Sequence, residues 1–524
     1  MAFKLYNTLT RSLQEFTPID PQNVRIYSCG PTVYGEPHLG NMRKYFLDDL
    51  LKNTIKHILG YPTTHVVNIT DVGHLTGENE GDADHGEDKM EKGARREGLT
   101  ARDVAKKYET LFHENCQNLL IDPFDVTPRA TEHIPEQITM IQELETKGYT
   151  YNIPGDGIYF DTSKMADYGE LVGKKHIEGI QGGSRVEDAG KRNPTDFALW
   201  KYNISGKKRD MERDSPRGVG FPGRHIECSA MSIKYLGAHF DIHTGGIDHI
   251  PVHHTNEIAQ SECSHADHPR VNYRIHYQFL NINGQKISKS LGNVISVQEV
   301  LGKGYSPYDL RYFFLQAHYR SFQDFTREGL DAAKKTRHNL KKKIQTLQQT
   351  LNAQALDTQT IGQRLGLIRS IADECETALD ENGIHNEYEM NLAQRFNGTD
   401  DRGHIIGADL HNHNGKFMHL LIQALYDDLN TSKALAALSE IGSCNHTGLY
   451  VLQWFDHYVL KLGLFEQDSL ETIEVPENVQ ALAKQRRQAK QEKNWQLADE
   501  LRKQIDDAGY IVLDTSAGYT LQSK

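Results

Sequence analysis

The sequence predicts an α/β protein: a Rossmann-like parallel-sheet catalytic core with an insertion, followed by a helical bundle and a small mixed C-terminal module. Three observations predict it. Strand-like apolar runs alternate with helical stretches through the first half, helical periodicity takes over after about residue 324, and a helical hairpin pattern followed by YIVLDTSAGYTL closes the chain. At about 150 residues per domain, 524 residues allow three or four domains and at least one large core.

Residues 24–34, VRIYSCGPTVY, read as a buried strand that breaks at Gly30-Pro31, since proline brings no ladder donor. Helical periodicity from about Met42 to Leu59 completes an opening βα unit. A second strand is expected at 63–69, and IYF, FALWKY and AHFDIHTGG supply later strands of the α/β sheet. Segment 71–91, DVGHLTGENEGDADHGEDKME, is acidic and poor in bulky apolar residues; it reads as a solvated loop, a metal site there being disfavoured by the lack of fixed ligand spacing or an EF-hand pattern. The helical bundle is expected over KKTRHNLKKKIQTLQQTL, FMHLLIQALYDDLNTSKALAALSEIG and YVLQWFDHYVLKLGLF, with a polar insertion at about 376–414. The expected domains are 1–323, 324–470 and 471–524.

Composition narrows the function classes. With 38% hydrophobic and 25% charged residues, no run approaches the roughly 18 apolar residues of a membrane span. The N-terminal MAFKLYNTLTRSLQEF lacks the apolar run and small-residue cleavage site of a secretory signal, so a cytoplasmic protein is expected. Six scattered cysteines (Cys29, Cys116, Cys228, Cys263, Cys375, Cys444) point to free thiols or metal ligands rather than a disulfide framework. The net charge of −12 does not exclude a local basic face for nucleic acid.

Two short motifs carry nucleotide chemistry. PHLGN at 37–41 follows the first strand, where a helix start offers backbone N–H groups to a polyphosphate; His38 can donate to a phosphate oxygen and Gly40 lets an adenine ring approach the backbone. KISKS at 286–290 places Lys286 and Lys289 on a loop that can follow negative charge from the α-phosphate to the departing pyrophosphate. Alone, the first could be a turn histidine and the second a solvated lysine loop. Together they resemble the HIGH and KMSKS signatures of class I aminoacyl-tRNA synthetases, with Asn41 in place of the last histidine and Ile287 in place of the methionine.

A second group is Cys29 in SCGPTVY, Cys228 in RHIECSAM, and His253 with Glu257 in VHHTNE. Four apart on a helix, His253 and Glu257 share a face and could clasp one metal ion. Residue type alone leaves open ordinary buried cysteines and core histidines. SCGPTVY, NITDVGH, KRNPTDFALWK, HIECSAM, HFDIHTGGIDHIPVHHTNEIAQ and KISKSLGN, with DDLNTSKALAAL and AKQEKNWQLADELRKQIDDAGYIVLDT further on, resemble successive signatures of the cysteinyl-tRNA synthetases.

The resemblance implies one zinc ion per chain, held by Cys29, Cys228, His253 and Glu257, and magnesium accompanying ATP. It implies catalytic roles for His38, Asn41, Lys286 and Lys289, and ATP contacts for His38, Gly40, Gly245, Gly246, Asp248 and Lys289. Cys29, Thr70 and His243 would line the amino-acid pocket. The implied partners are L-cysteine, ATP and tRNA(Cys), with the basic residues at 334–343 and around Arg486, Arg487, Lys490 and Lys493 facing RNA phosphates, and a monomeric enzyme. Zinc has a physical rationale: shape alone separates cysteine from serine by only about 1–3 kcal/mol, whereas a thiolate-preferring metal makes binding itself the filter. Because four protein donors ordinarily close a zinc site, Glu257 is expected to bind weakly or give way to the substrate thiolate. Arg224 departs from the pattern, standing before HIEC where the family has an aromatic residue. Two other readings are a cysteine ligase with a small amino-sugar acceptor, and an inactive zinc-stabilised RNA-binding protein.

Overall fold

The computed structural model describes residues 2–72, 89–173, 177, 190–202, 212–265, 268–288, 292–351, 414–443, 446–466, 476–492, 494–515 and 518–523. They form two compact units, Met1–Leu464 and Phe465–Lys524. Segments 73–88 and 352–413, which contain most of the expected acidic loop and nearly all of the polar insertion, lie outside the described residues, as does Lys289.

The first unit opens with an antiparallel hairpin, β1 (Lys4–Asn7) and β2 (Ser12–Glu15). A parallel sheet follows, in which β3 (Val24–Ser28) lies between β4 (Thr63–Val67) and β9 (Phe240–Gly246), with β10 (Val271–Tyr277) beyond β9. Helix α1 (Leu39–Asn53) crosses from β3 to β4, and α5 (Arg224–Leu236) and α6 (His253–His265) precede and follow β9. Because the chain leaves β3 for one neighbour and returns on its other side, the topology reverses between β3 and β9. The sheet is buried through Val24, Ile26, Val66 and Ile242, as a parallel sheet covered on both faces requires.

Between β4 and β9 lies the insertion. It comprises α2 (Lys89–Glu97), α3 (Ala101–Asn118), α4 (Ile134–Thr146) and an antiparallel sheet of β5 (Thr150–Ile153), β6 (Gly157–Phe160), β7 (Phe197–Tyr202) and β8 (Gly220–Pro222). IYF and FALWKY therefore belong to this second sheet and not to the parallel one. Trp200, Phe160 and Phe197 pack with Ile226 and Ala259, so the two sheets share the α5–α6 layer.

After β10 come β11 (Leu280–Ile282) and β12 (Gln285–Lys286), then α7 (Val297–Gly302), α8 (Pro307–Leu315), β13 (Gln323–Phe325) and α9 (Arg327–Thr350). Ser296 with Glu299 and Ser306 with Asp309 form capping boxes that start α7 and α8. The bundle continues with α10 (Asn414–Tyr426), α11 (Thr431–Ser439) and α12 (His446–Phe455). The break between α10 and α11 holds Asp428 and Leu429 in the left-handed region, φ 57° and 52°.

The bundle is pinned to the core by buried charge. Asp49 of α1 accepts from Arg311 of α8 at 3.4 Å and from Lys461 at 3.1 Å, while Arg311 also donates to the Leu119 and Leu460 carbonyls. The second unit pairs α13 (Glu477–Gln491) with α14 (Trp495–Asp507) around Val479, Ala483, Ile505 and Val512, followed by the hairpin β14 (Tyr510–Thr515) and β15 (Gly518–Ser523). Among the described residues no helix is long and apolar enough to cross a membrane.

Candidate active site and metal centre

A cleft of about 510 Å³ opens at the carboxyl ends of the parallel strands, where the topology reverses. Cys29, His38, Arg224, Gly246, Asp248 and Lys286 are on its walls. Its entry turn tolerates only glycine at position 30, since a Cβ there would fall 1.4 Å from the Asn68 carbonyl oxygen. The Gly30 N–H donates to Asn68 Oδ1 at 2.8 Å, locking the turn after β3 to the turn after β4.

At the nucleotide end, PHLGN forms the N-terminus of α1. His38 is its N-cap: Nδ1 accepts from the Asn41 N–H at 3.2 Å, while Asn41 Oδ1 accepts from the His38 N–H at 3.2 Å. In a neutral ring, an accepting Nδ1 puts the proton on Nε2, the donor a phosphate needs. Asn41, at the place of the last HIGH histidine, thus closes a reciprocal capping box. The two signatures meet here. Leu39 N–H donates to the Ile295 carbonyl at 2.9 Å, and a Cβ on Gly40 would sit 3.0 Å from Ile287 Cδ1. The Lys286 ammonium lies 5.3 Å from the Phe279 ring centroid, a cation–π distance that steers it along the cleft.

At the other end the four expected donors converge. Cys29 Sγ, Cys228 Sγ, a His253 ring nitrogen and a Glu257 oxygen all lie within 4.8 Å of one another. The first comes from the turn after β3 and the second from α5; α6 presents the other two one turn apart. Two sulfurs, an imidazole nitrogen and a carboxylate oxygen at such spacing fit a divalent metal. An overlapping set replaces Cys228 and His253 by His243 and His254.

Hydrogen bonds separate the two sets. His253 Nδ1 meets His225 Nδ1 at 2.8 Å, and Glu257 Oε2 accepts from His243 Nε2 at 2.6 Å. His254 Nε2 approaches Cys29 Sγ at 3.3 Å and its Nδ1 meets His276 at 2.8 Å. His225, His243 and His254 thus each stand behind one member of the Cys29, Cys228, His253, Glu257 set, the outer-layer support that orients metal ligands.

The four donors act on one another electrostatically, and Cys29 and His253 must each release a proton to ligate a metal. A bond from the Cys29 thiol holds Cys228 below the ordinary thiol range against the effect of burial, and His253 adds to this. Burial pushes Cys29 well up, as does Cys228. Burial would raise Glu257, but His243 and His253 hold it far below the carboxylate range. Burial pulls His253 down, yet Glu257 and Cys228 outweigh it and raise the ring to about 10.

Other expected residues stand around this frame. Gly246 and Asp248 face the cleft. Gly245 packs beneath it, where a Cβ would fall 2.6 Å from the His254 ring. Thr70 is buried and its hydroxyl accepts from Asn68 at 3.1 Å; His243 is buried between the Tyr27 carbonyl and Glu257. The basic stretch 334–343 is corrected in part: Arg337 is buried in an ion pair with Asp309 at 2.8 Å, and Lys341 is buried too, because both sit on the packed face of α9. Arg486 is likewise buried and Lys490 half-buried, which leaves Lys334, Lys335, Lys342, Lys343 and Arg487 as exposed cations of these stretches, while Lys493 lies outside the described residues. Sequence reading overlooked Arg43 and Lys44. Arg43 donates to the Gln278 and His318 carbonyls, its pKa lowered to about 10 by burial, and Lys44 donates to the Cys29 carbonyl at 2.7 Å. Their position one turn beyond PHLGN was the available signal.

The fold and its cleft define a class I tRNA synthetase catalytic domain, and the family described as "tRNA synthetases class I (C) catalytic domain" matches residues 15–335. Two solved structures share the fold. A Mycobacterium tuberculosis methionyl-tRNA synthetase in complex with methionyl-adenylate is 14% identical, with a TM-score of 0.51 over 84% of this chain and 92% of that one. The LeuRS of an Agrobacterium radiobacter K84 ternary complex is 12% identical, with a TM-score of 0.53 over 87% and 86%. The "Cysteinyl-tRNA ligase anticodon binding domain" family matches residues 472–519. Among curated relatives, the cysteine–tRNA ligase 1 of Burkholderia lata is 41% identical over 99% of this chain and 97% of its own length. That of Treponema denticola is 39% identical over the whole of both chains. The chain belongs to the cysteine–tRNA ligase family.

Proposed function

We propose that the chain carries out the reaction of its family, joining L-cysteine to the 3′ end of tRNA(Cys) at the expense of ATP. The observation that carries this reading is the meeting, in one cleft, of a sulfur-rich donor cluster with the PHLGN helix start and the KISKS strand. The cysteine carboxylate attacks the α-phosphorus, the bond to the β-phosphate oxygen breaks, and pyrophosphate leaves. A terminal adenosine hydroxyl of the tRNA, the 2′ in this class, then takes the acyl group from the adenylate and AMP departs. No strong base is needed in the first step, because the carboxylate is already ionised; positioning and charge stabilisation suffice.

In this reading His38 donates from Nε2 to the phosphates and Asn41 fixes its ring. Lys286 and Lys289 accompany the departing pyrophosphate. Gly40, Gly246 and Asp248 border the adenosine, with Gly245 keeping the strand end low enough for it. Thr70 and His243 back the amino-acid pocket. Cys29, Cys228, His253 and Glu257 would hold zinc. When bound, zinc supplies a thiolate-preferring Lewis acid that ionises a cysteine thiol and favours it over a serine hydroxyl. Magnesium would travel with ATP. Segments 1–323, 324–470 and 471–524 would serve as catalytic, helical and anticodon-binding parts of a cytoplasmic monomer, with the exposed Lys334, Lys335, Lys342, Lys343 and Arg487 meeting RNA phosphates. The C-terminal family match supports tRNA over a small amino-sugar acceptor, and the equipped cleft supports an enzyme over an inactive binding protein.

The test is cysteine-dependent ATP–pyrophosphate exchange, then charging of tRNA(Cys) with serine in excess. Exchange with cysteine and rejection of serine are expected. Equal charging by both amino acids, or exchange that survives complete metal removal, would sink the reading.

A further inference from the structure

We infer that Arg224 is a substrate-binding residue whose guanidinium takes the carboxylate of the incoming amino acid. This deepens the cysteine–tRNA ligase reading and rests on it. Arg224 is the first residue of α5, after Gly223, and lies on the wall of the cleft with Cys29, Asp248 and His249. Cys228 is four residues further along the same helix, so the two side chains leave one face about 6 Å apart along the axis. The Sγ of free cysteine and its carboxylate carbon are separated by roughly 4 Å, from ordinary bond lengths. An amino acid with its sulfur at the donor cluster therefore presents its carboxylate at the level of the first turn of α5.

That level suits an anion. The N-terminus of α5 has no side-chain cap, and the helix N-terminus favours negative charge. On the same wall, Arg43 donates to the Gln278 and His318 carbonyls, Lys44 pairs with Asp48 at 2.8 Å and donates to the Cys29 carbonyl, and Lys286 lies at the nucleotide end over Phe279. Among the described residues that line the cleft, Arg224 is the cation carried by α5. A guanidinium matches a carboxylate through two parallel N–H donors, which an aromatic ring at this position could not offer. Held this way, the substrate is gripped at sulfur and carboxylate by groups one turn apart on one rigid helix.

The experiment is calorimetric binding to zinc-loaded protein without ATP, using L-cysteine and cysteamine, the same thiol lacking the carboxylate. Arg224→Gln is expected to weaken cysteine roughly 10- to 100-fold, as loss of a charge-assisted pair predicts, while cysteamine shifts less than threefold and metal content stays equal. Arg224→Lys should fall between, and guards against a folding defect in the first variant. Equal weakening of both ligands would overturn the proposal in favour of a structural role. Unchanged cysteine binding, or a loss confined to ATP affinity, would also overturn it. Failure of the unaltered protein to bind either thiol would instead sink the ligase reading, and this proposal with it.

Discussion

Replacing Glu257 by glutamine removes one charge from the donor cluster while keeping its shape. Its carboxylate accepts from His253 Nε2 at 2.8 Å and from His243 Nε2 at 2.6 Å, with only 4% of the residue exposed. Each is a charge-assisted hydrogen bond worth about 1.5–3 kcal/mol. Glutamine keeps one oxygen for one histidine but turns an NH₂ toward the other, so one such bond is lost. That corresponds to roughly 10- to 150-fold in an equilibrium constant, in line with the 10- to 100-fold typical of support around a metal. Zinc affinity, read by competition with a chelator, should fall by that amount, and cysteine affinity should change with it because the same carboxylate is expected to yield to the substrate thiol. Zinc affinity unchanged within twofold would refute the ligand assignment; zinc loss with unaltered cysteine binding would refute the yielding role.

Three further outcomes are expected. Lys286→Ala should lower pyrophosphate-exchange turnover roughly 10²- to 10³-fold, the scale of a lost charge-stabilising donor, while cysteine affinity measured without ATP stays within twofold; equal loss in both would show a structural lysine. Asp49→Asn leaves the fully buried Arg311 without its counter-charge, with both side chains at 0% exposure, so urea unfolding should show a loss of about 3–5 kcal/mol; a loss below 1 kcal/mol would mean that the carbonyls around Arg311 alone satisfy it. His65 is buried in β4, and burial lowers its pKa from 6.5 to about 3. The unfolded chain therefore takes up a proton near pH 6.5 while the folded one does not, so stability is full above pH 6.5 and falls as the pH drops toward 3. Between pH 6.5 and 5 His65 alone should cost about 1.6 kcal/mol, and His65→Gln should flatten the pH dependence of urea-unfolding stability by that amount.

Much of the fold was legible because its signals are local. VRIYS is apolar and β-branched enough to be a strand in any context, and Gly30-Pro31 ends it for reasons internal to the backbone. The helices of the bundle follow from 3.6-residue periodicity, and β14–β15 from strand patterning. VNYRIHY escaped notice: Arg274 and His276 alternate with apolar residues, yet are themselves buried at 2% and 6%. They look like a solvent face in the sequence, and only the tertiary structure supplies the partners, Thr8 and His254, that let His276 be buried.

What the sequence by itself determined is the chemistry available: which side chains are thiols, imidazoles and ammoniums, and where glycine or a capping residue starts and stops an element. The tertiary structure alone decided which of them meet. Cys29 and Cys228 are 199 positions apart in the chain, and no periodicity links them. The order of β4, β3, β9 and β10 brings one from a strand end and the other from a helix face to the same few ångströms. It likewise buried Arg337 and Lys341, cations in composition, and made Arg337 a brace of the bundle through Asp309. The reason is physical: local propensity acts through neighbours along the backbone, whereas a site is made by burial and charge pairing between segments that only long-range strand pairing and packing hold together.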